Sequence, residues 1–286
     1  MKRIPIVPLI GLLLLVPAPV AAEGESPTYN VGDYWRYSFE SPAITGTINT
    51  TITGTRQLAV GGSTYTVWAG DSTGSGTYDD GTYAGPVTMS GYTYLDAATL
   101  RTVKESLAFD AVIAPKAGGN NINLHINSTQ TYDPPIELQH YPLAAGNSWS
   151  VLSSVREQTE NTVDGNPVPG YPVDKTTTLS TTFSVPSRLN KTVTAGTFEV
   201  FVIKNATLEF WFSDVVGSTI MVIDTRAGDP TTFELISYRY QGPPEDPGTP
   251  NAPGGGFLPA SGAVAALAAT GLVAIGVRDR RRHDRG

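Results

Sequence analysis

The chain has 286 residues, of which 40% are hydrophobic and only 16% charged, and it contains no cysteine. Disulfides, thiolate catalysis and cysteine-ligated metals are thereby excluded. Setting aside Lys2, Arg3, the tail arginines 278, 280, 281, 282 and 285, Asp279 and Asp284, residues 23–256 carry 12 basic and 24 acidic side chains, a net charge of −12. That balance disfavours nucleic acid and anionic lipid surfaces as partners.

Lys2 and Arg3 precede an apolar run from 4 to 16, and Val20-Ala21-Ala22 offers small residues for cleavage after Ala22. Residues 1–22 have the pattern of a secretory signal peptide. Pro5, Pro8 and Pro17 argue against a first membrane span.

From 23 to 241 the chain reads as all-β: runs rich in Val, Ile, Thr, Tyr and Phe alternate in polarity between clusters of Gly, Asn, Asp and Pro. Strands are expected at 34–39, 47–59, 63–69, 92–95, 100–107 and 121–132. A second set is expected at 148–155, 176–185, 198–207, 208–213, 219–224 and 231–240. Gly61-Gly62 marks a short hairpin turn, because glycine accepts the positive φ such turns need; Asp79-Asp80-Gly81 marks another. No segment carries a capped 3.6-residue apolar period.

Two elements recur in the same order. Gly32-Asp33-Tyr34-Trp35 is echoed by Gly146-Asn147-Ser148-Trp149, and the run Gly62 to Trp68 by Gly196 to Phe201. The expectation is antiparallel sheets in two related units, 23–135 and 136–241, joined near Asp133-Pro134-Pro135, as a curved sheet, a sandwich or a half-barrel. Val193-Thr194-Ala195-Gly196-Thr197-Phe198 resembles a Val-x-Ala-Gly-Thr-Phe signature of uncharacterised extracytoplasmic β-sheet proteins, some similar in shape to lipoprotein carriers. That resemblance implies a large curved antiparallel sheet and carries no catalytic residues. It departs from the carriers in offering no helix to cover the sheet.

Residues 242–256 form a Pro/Gly-rich linker, and 257–277 follow without a charge. As a helix those 21 residues would be about 31 Å long at roughly 1.5 Å per residue, close to the hydrocarbon thickness of about 30 Å. The arginines in 278–286 place the tail in the cytoplasm and the body outside. Leu258-Pro259-Ala260-Ser261-Gly262, with Ser in the usual Thr position, resembles an LPxTG-type sortase signal. Pro253-Gly254-Gly255-Gly256-Phe257 is similar to the PGF-CTERM tails of archaeal surface proteins. Either resemblance implies a span exchanged for a covalent anchor; a retained transmembrane helix stays open beside it.

Candidate sites are few. Sequons at Asn49, Asn127, Asn190 and Asn205 offer glycosylation acceptors to a secreted chain, in a number that chance supplies in so Thr-rich a sequence. Asp71, Asp79 and Asp80 could offer oxygen to Ca²⁺ but match no known loop spacing. Outside the tail only His125 and His140 are available to a metal or a catalytic triad, and no nucleophile elbow, phosphate loop or zinc motif is present. Trp35 and Trp149, at matched repeat positions, read either as core plugs or as aromatics of an apolar ligand groove. Together these features lead to the expectation of a non-enzymatic surface β-protein, anchored in the membrane and facing envelope components, without cofactor or metal. The alternative is an extracytoplasmic binding protein for an apolar, lipid-like ligand.

Overall fold

The computed structural model describes residues 23–226 and 228–242. The expected signal peptide, the linker from 243 onward, the membrane helix, the basic tail and the sorting motif Leu258 to Gly262 lie outside the described residues.

Thirteen strands follow one another without a helix among the described residues. They are β1 Tyr34–Glu40, β2 Ile44–Val60, β3 Ser63–Asp79, β4 Tyr83–Asp96, β5 Thr102–Pro115 and β6 Ile122–Ile136. Then come β7 Ser148–Val163, the two-residue β8 Asn166–Pro167, β9 Val173–Val193, β10 Gly196–Lys204, β11 Leu208–Ser213, β12 Ser218–Asp224 and β13 Thr231–Arg239. Every neighbouring pair is antiparallel, β1 pairs with β13, and β6 pairs with β7 from Leu124↔Val163 to Asp133↔Ser154. The twelve long strands therefore close into a barrel, with β8 folded back on the end of β7.

The expected curved sheet, sandwich or half-barrel gives way to this closure for a simple reason. Each half supplies six long strands, and both outer strands of one half find partners in the other, so neither half keeps an outer edge strand without a neighbour. The join near Asp133-Pro134-Pro135 lies within β6, in the seam itself. The two repeated elements occupy equivalent places. Gly32-Asp33-Tyr34-Trp35 opens β1 and Gly146-Asn147-Ser148-Trp149 opens β7. Gly32 N–H donates to Ile52 O and Ile52 N–H to Asp33 O; likewise Gly146 N–H donates to Val185 O and Val185 N–H to Asn147 O. The glycines have φ of 90° and 95°, a left-handed conformation that suits glycine. The second pair of motifs forms the β2–β3 and β9–β10 hairpins.

Alternation decides which face is core. Along β7, Trp149, Val151, Ser153 and Val155 are buried while Ser148, Ser150, Ser154 and Arg156 are exposed. Apolar side chains thus predominate inside the barrel and hydroxyls outside, Leu152 at 66% exposure being the exception on this strand. Trp35 is fully buried and donates Nε1–H to Val216 O at 2.8 Å. Trp149, 8% exposed, donates to Glu137 O at 2.9 Å and stacks between His140 and Phe183. The N-terminal segment crosses this end of the barrel, bridging Gly24 to Leu143 and setting Tyr29 edge-on against Trp35 and Trp68. Gly46 and Gly76 face each other across β2 and β3; a Cβ on either would strike the opposite strand's carbonyl oxygen, so glycine permits the tight coiling there.

Trp35→Ala is expected to cost about 3–5 kcal/mol, the range for emptying a buried tryptophan site, read as a lower urea midpoint at unchanged slope. Trp211, half-buried under the Lys191 ammonium at 4.1 Å from its ring centroid, should lose under about 2 kcal/mol on the same change.

Candidate functional site: a cavity behind an unpaired strand edge

Strand lengths are unequal. β9 runs for 21 residues, whereas β10, β11 and β12 have 9, 6 and 7. β7 pairs with β9 from Val173 to Ser184, and β10 pairs with it only from Ser184 to Val193. Among the described residues, 173–183 consequently have a ladder partner on one side alone, and the barrel wall has a notch there.

Two turns end the wall at this notch. Asn205 Oδ1 accepts the N–H groups of Thr207 and Leu208 at 2.9 and 2.8 Å, and its Nδ2 donates to Thr181 Oγ1 at 3.2 Å. Asp224, 2% exposed, accepts the Arg226 backbone N–H at 2.8 Å and the guanidinium at 2.7 and 2.9 Å. Such local caps stop a strand by satisfying the N–H groups that the next ladder rung would use.

Behind the notch lies a cavity of about 390 Å³, within the range of small-ligand pockets. Val155, Leu179, Phe183, Leu208 and Phe210 form its apolar wall, and Glu105, Gln130, Tyr132, Glu157 and Arg226 its polar one. The Tyr132 hydroxyl lies 2.5 Å from Glu105 Oε1 and 2.7 Å from Gln130 Oε1. Burial and the Glu105 charge hold the Tyr132 pKa far above the usual tyrosine range, so this group is a neutral donor at every physiological pH. Glu157 pairs with Lys175 at 3.1 Å. The arrangement can hold a ligand with an apolar body and a polar or charged end.

The residues singled out in the sequence fall mainly elsewhere. Trp35 and Trp149 sit in the core and do not line the cavity, although Trp149 stacks on Phe183, which does. Asn205 lines it, with both ends of its amide already bonded. Asn49 and Asn127 are half-buried within β2 and β6, and Asn190 is exposed on β9. Asp79 pairs with Lys116 at 2.7 Å, and Asp80 accepts the N–H groups of Thr82 and Tyr83. Among the described residues no cluster of three His, Cys, Asp or Glu could hold a metal. His125 and His140 pair at the surface with Asp110 and Glu137 at 2.7 and 2.9 Å. Glu105, Tyr132 and Arg226 were not foreseen. Glu105 turns inward in phase with Leu107, Phe109, Ala111 and Ile113 of β5, a position where alternation leads one to expect an apolar side chain.

Comparisons of the chain with protein-family models, curated proteins and solved structures found no match.

At the opposite end of the barrel a further carboxylate is perturbed. Burial pushes the half-buried Asp214 from 3.8 to about 7, helped by Glu25 and Glu199 and opposed by Arg188. The folded protein therefore holds this proton more tightly than the unfolded chain. Its contribution is greatest below about pH 4 and is lost as pH rises toward 7. Asp214→Asn should raise the melting temperature at pH 8 and leave it nearly unchanged at pH 4. Equal shifts at both pH values would refute the assignment.

Proposed function

We infer that the chain is a cell-surface β-barrel, carried outside the membrane on its Pro/Gly spacer and C-terminal anchor, which works as a non-enzymatic interaction module. The observation that carries this reading is the wall itself: hydroxyl-rich and acidic outward, apolar inward, closed, and free of any cysteine. Such a body keeps its fold in water without disulfides and shows a repelling, soluble face to acidic polymers. The signal-peptide pattern at 1–22 and the arginine-flanked span at 257–277 support display. Envelope components are the natural partners of a module so placed.

A second reading is favoured by one observation, the apolar wall of the cavity. It is the binding of a small, largely apolar ligand there. The volume of about 390 Å³ restricts such a ligand to a small molecule or part of a chain, since side chains fill the rest of the barrel.

Proteinase K treatment of intact cells should release a fragment beginning near residue 23 and ending within the 242–256 linker, the compact barrel resisting further digestion. A chain untouched until the cells are lysed would contradict surface display. For the second reading, native mass spectra of the released barrel should show an excess mass lost on denaturation, and its absence would leave the module reading alone.

A further inference from the structure

Among the described residues, the notch leaves part of β9 with a ladder neighbour on one side alone. Residues 173–183 of β9 are bonded to β7 on one side, and β10 stops opposite Ser184. Five consecutive residues, Thr177, Thr178, Leu179, Ser180 and Thr181, border the cavity. Consecutive residues of a strand point to opposite faces, so a cavity touching all five meets the strand at its edge. In an antiparallel ladder alternate residues direct both N–H and C=O to the same side, and the side away from β7 is turned to this opening.

Asp174 and Lys175 flank the edge at one end, paired with Arg156 and Glu157; the stretch beyond them carries none of the usual guards. Between Thr176 and Phe183 there is no charge, no proline and no glycine, and Thr176, Thr177, Thr178 and Ser180 are exposed. Natural proteins blunt open edges with lysine, proline, bulges or covering loops. Here Lys175 is drawn to Glu157 at the end of the stretch. The run is instead rich in β-branched residues that favour strand pairing. Charge narrows the choice of occupant. The groups in and beside the cavity are Glu105, Glu157 and Asp224 against Lys175 and Arg226, an excess of one negative charge within a barrel that is acidic throughout.

We propose that the β9 edge at residues 174–182 is a docking site for an extended peptide, which adds to it as a strand in line with β10 and places a basic side chain in the adjoining cavity. Main-chain hydrogen bonds along the edge hold the peptide, and the cavity selects one side chain among those that alternate toward it. A segment of about seven residues at roughly 3.3 Å each would cover the cavity-bordering residues 177–181 with one residue more on either side. The inference rests on the reading of the chain as an interaction module and names the class of partner.

The test uses the full-length chain in detergent and capped heptapeptides of alternating Val and Thr with Lys, Gln or Glu at the centre. Isothermal titration should show saturable binding in the order Lys, Gln, Glu. Methylating the peptide nitrogens on the β9-facing side should weaken binding about tenfold or more, through lost main-chain bonds. Alternate amides of residues 177–181, those directed away from β7, should gain hydrogen-exchange protection when the peptide is added. Glu105→Gln, which keeps an acceptor for Tyr132, should erase the preference for Lys over Gln. Thr178→Pro should abolish binding, its fold checked by circular dichroism; the methylated peptides give the same information should that variant not fold. Binding indifferent to methylation, no binding by any of the three peptides, or an edge already protected by a second copy in a dimer would each overturn the proposal. Because the assay uses purified protein, its failure leaves surface display standing, and failure of display leaves the binding result standing.

Discussion

Closure is the constraint on which the rest depends. A strand exposes a row of N–H and C=O groups on each side, and leaving such rows unpaired in a packed body costs about as much as losing the hydrogen bonds outright. Six strands from each half answer this by taking each other as neighbours at two seams, β6–β7 and β1–β13. Once those seams form, most of the inside of the barrel is withdrawn from water. A buried polar group there costs least when it finds a partner, and Trp35 and Trp149 both spend their indole N–H on a backbone carbonyl.

The notch follows from the same rule applied to strands of unequal length. A closed wall needs neighbours at every level, and β10 to β12 end before β9 does. The chain manages most of that deficit locally. Asn205 and Asp224 turn back on their own loops, and the Arg226 guanidinium folds over Asp224. These caps satisfy the short strands; on β9 Asn205 reaches only the Thr181 hydroxyl and leaves the backbone edge as it is. Function, on this account, sits where closure is incomplete, while the complete part of the wall provides the rigidity that holds the cavity groups in place.

Much of the barrel was legible in the residues. Each of the twelve expected strands overlaps one of the twelve long strands in order, because Thr, Val and Tyr runs between glycine turns leave little choice. The Gly61-Gly62 hairpin is present with φ of 57° and 82°, the mirror-image turn its twist demands. Strand length was less legible: the run expected at 92–95 is the end of β4, which begins at Tyr83, because Gly85, Pro86 and Gly91 disguise it. Closure could not be read at all, since alternation specifies a face and says nothing of which distant strand lies beside β6. The cavity groups were hidden for a related reason. Glu105 is an acid at an ordinary inward position of β5; Tyr132 meets it as a diagonal neighbour across the β5–β6 ladder, and Arg226 comes to the same cavity from a turn far along the chain.

Hydrogen exchange resolved to single residues, on the full-length chain without ligand, tests the account most directly. Amides of the β6–β7 seam, 124–133 and 154–163, should be as protected as those of the β2–β3 ladder, while alternate amides from 174 to 182 exchange freely. A β6–β7 seam that exchanges as fast as that edge would mean the barrel is open, and the argument from closure would fail with it.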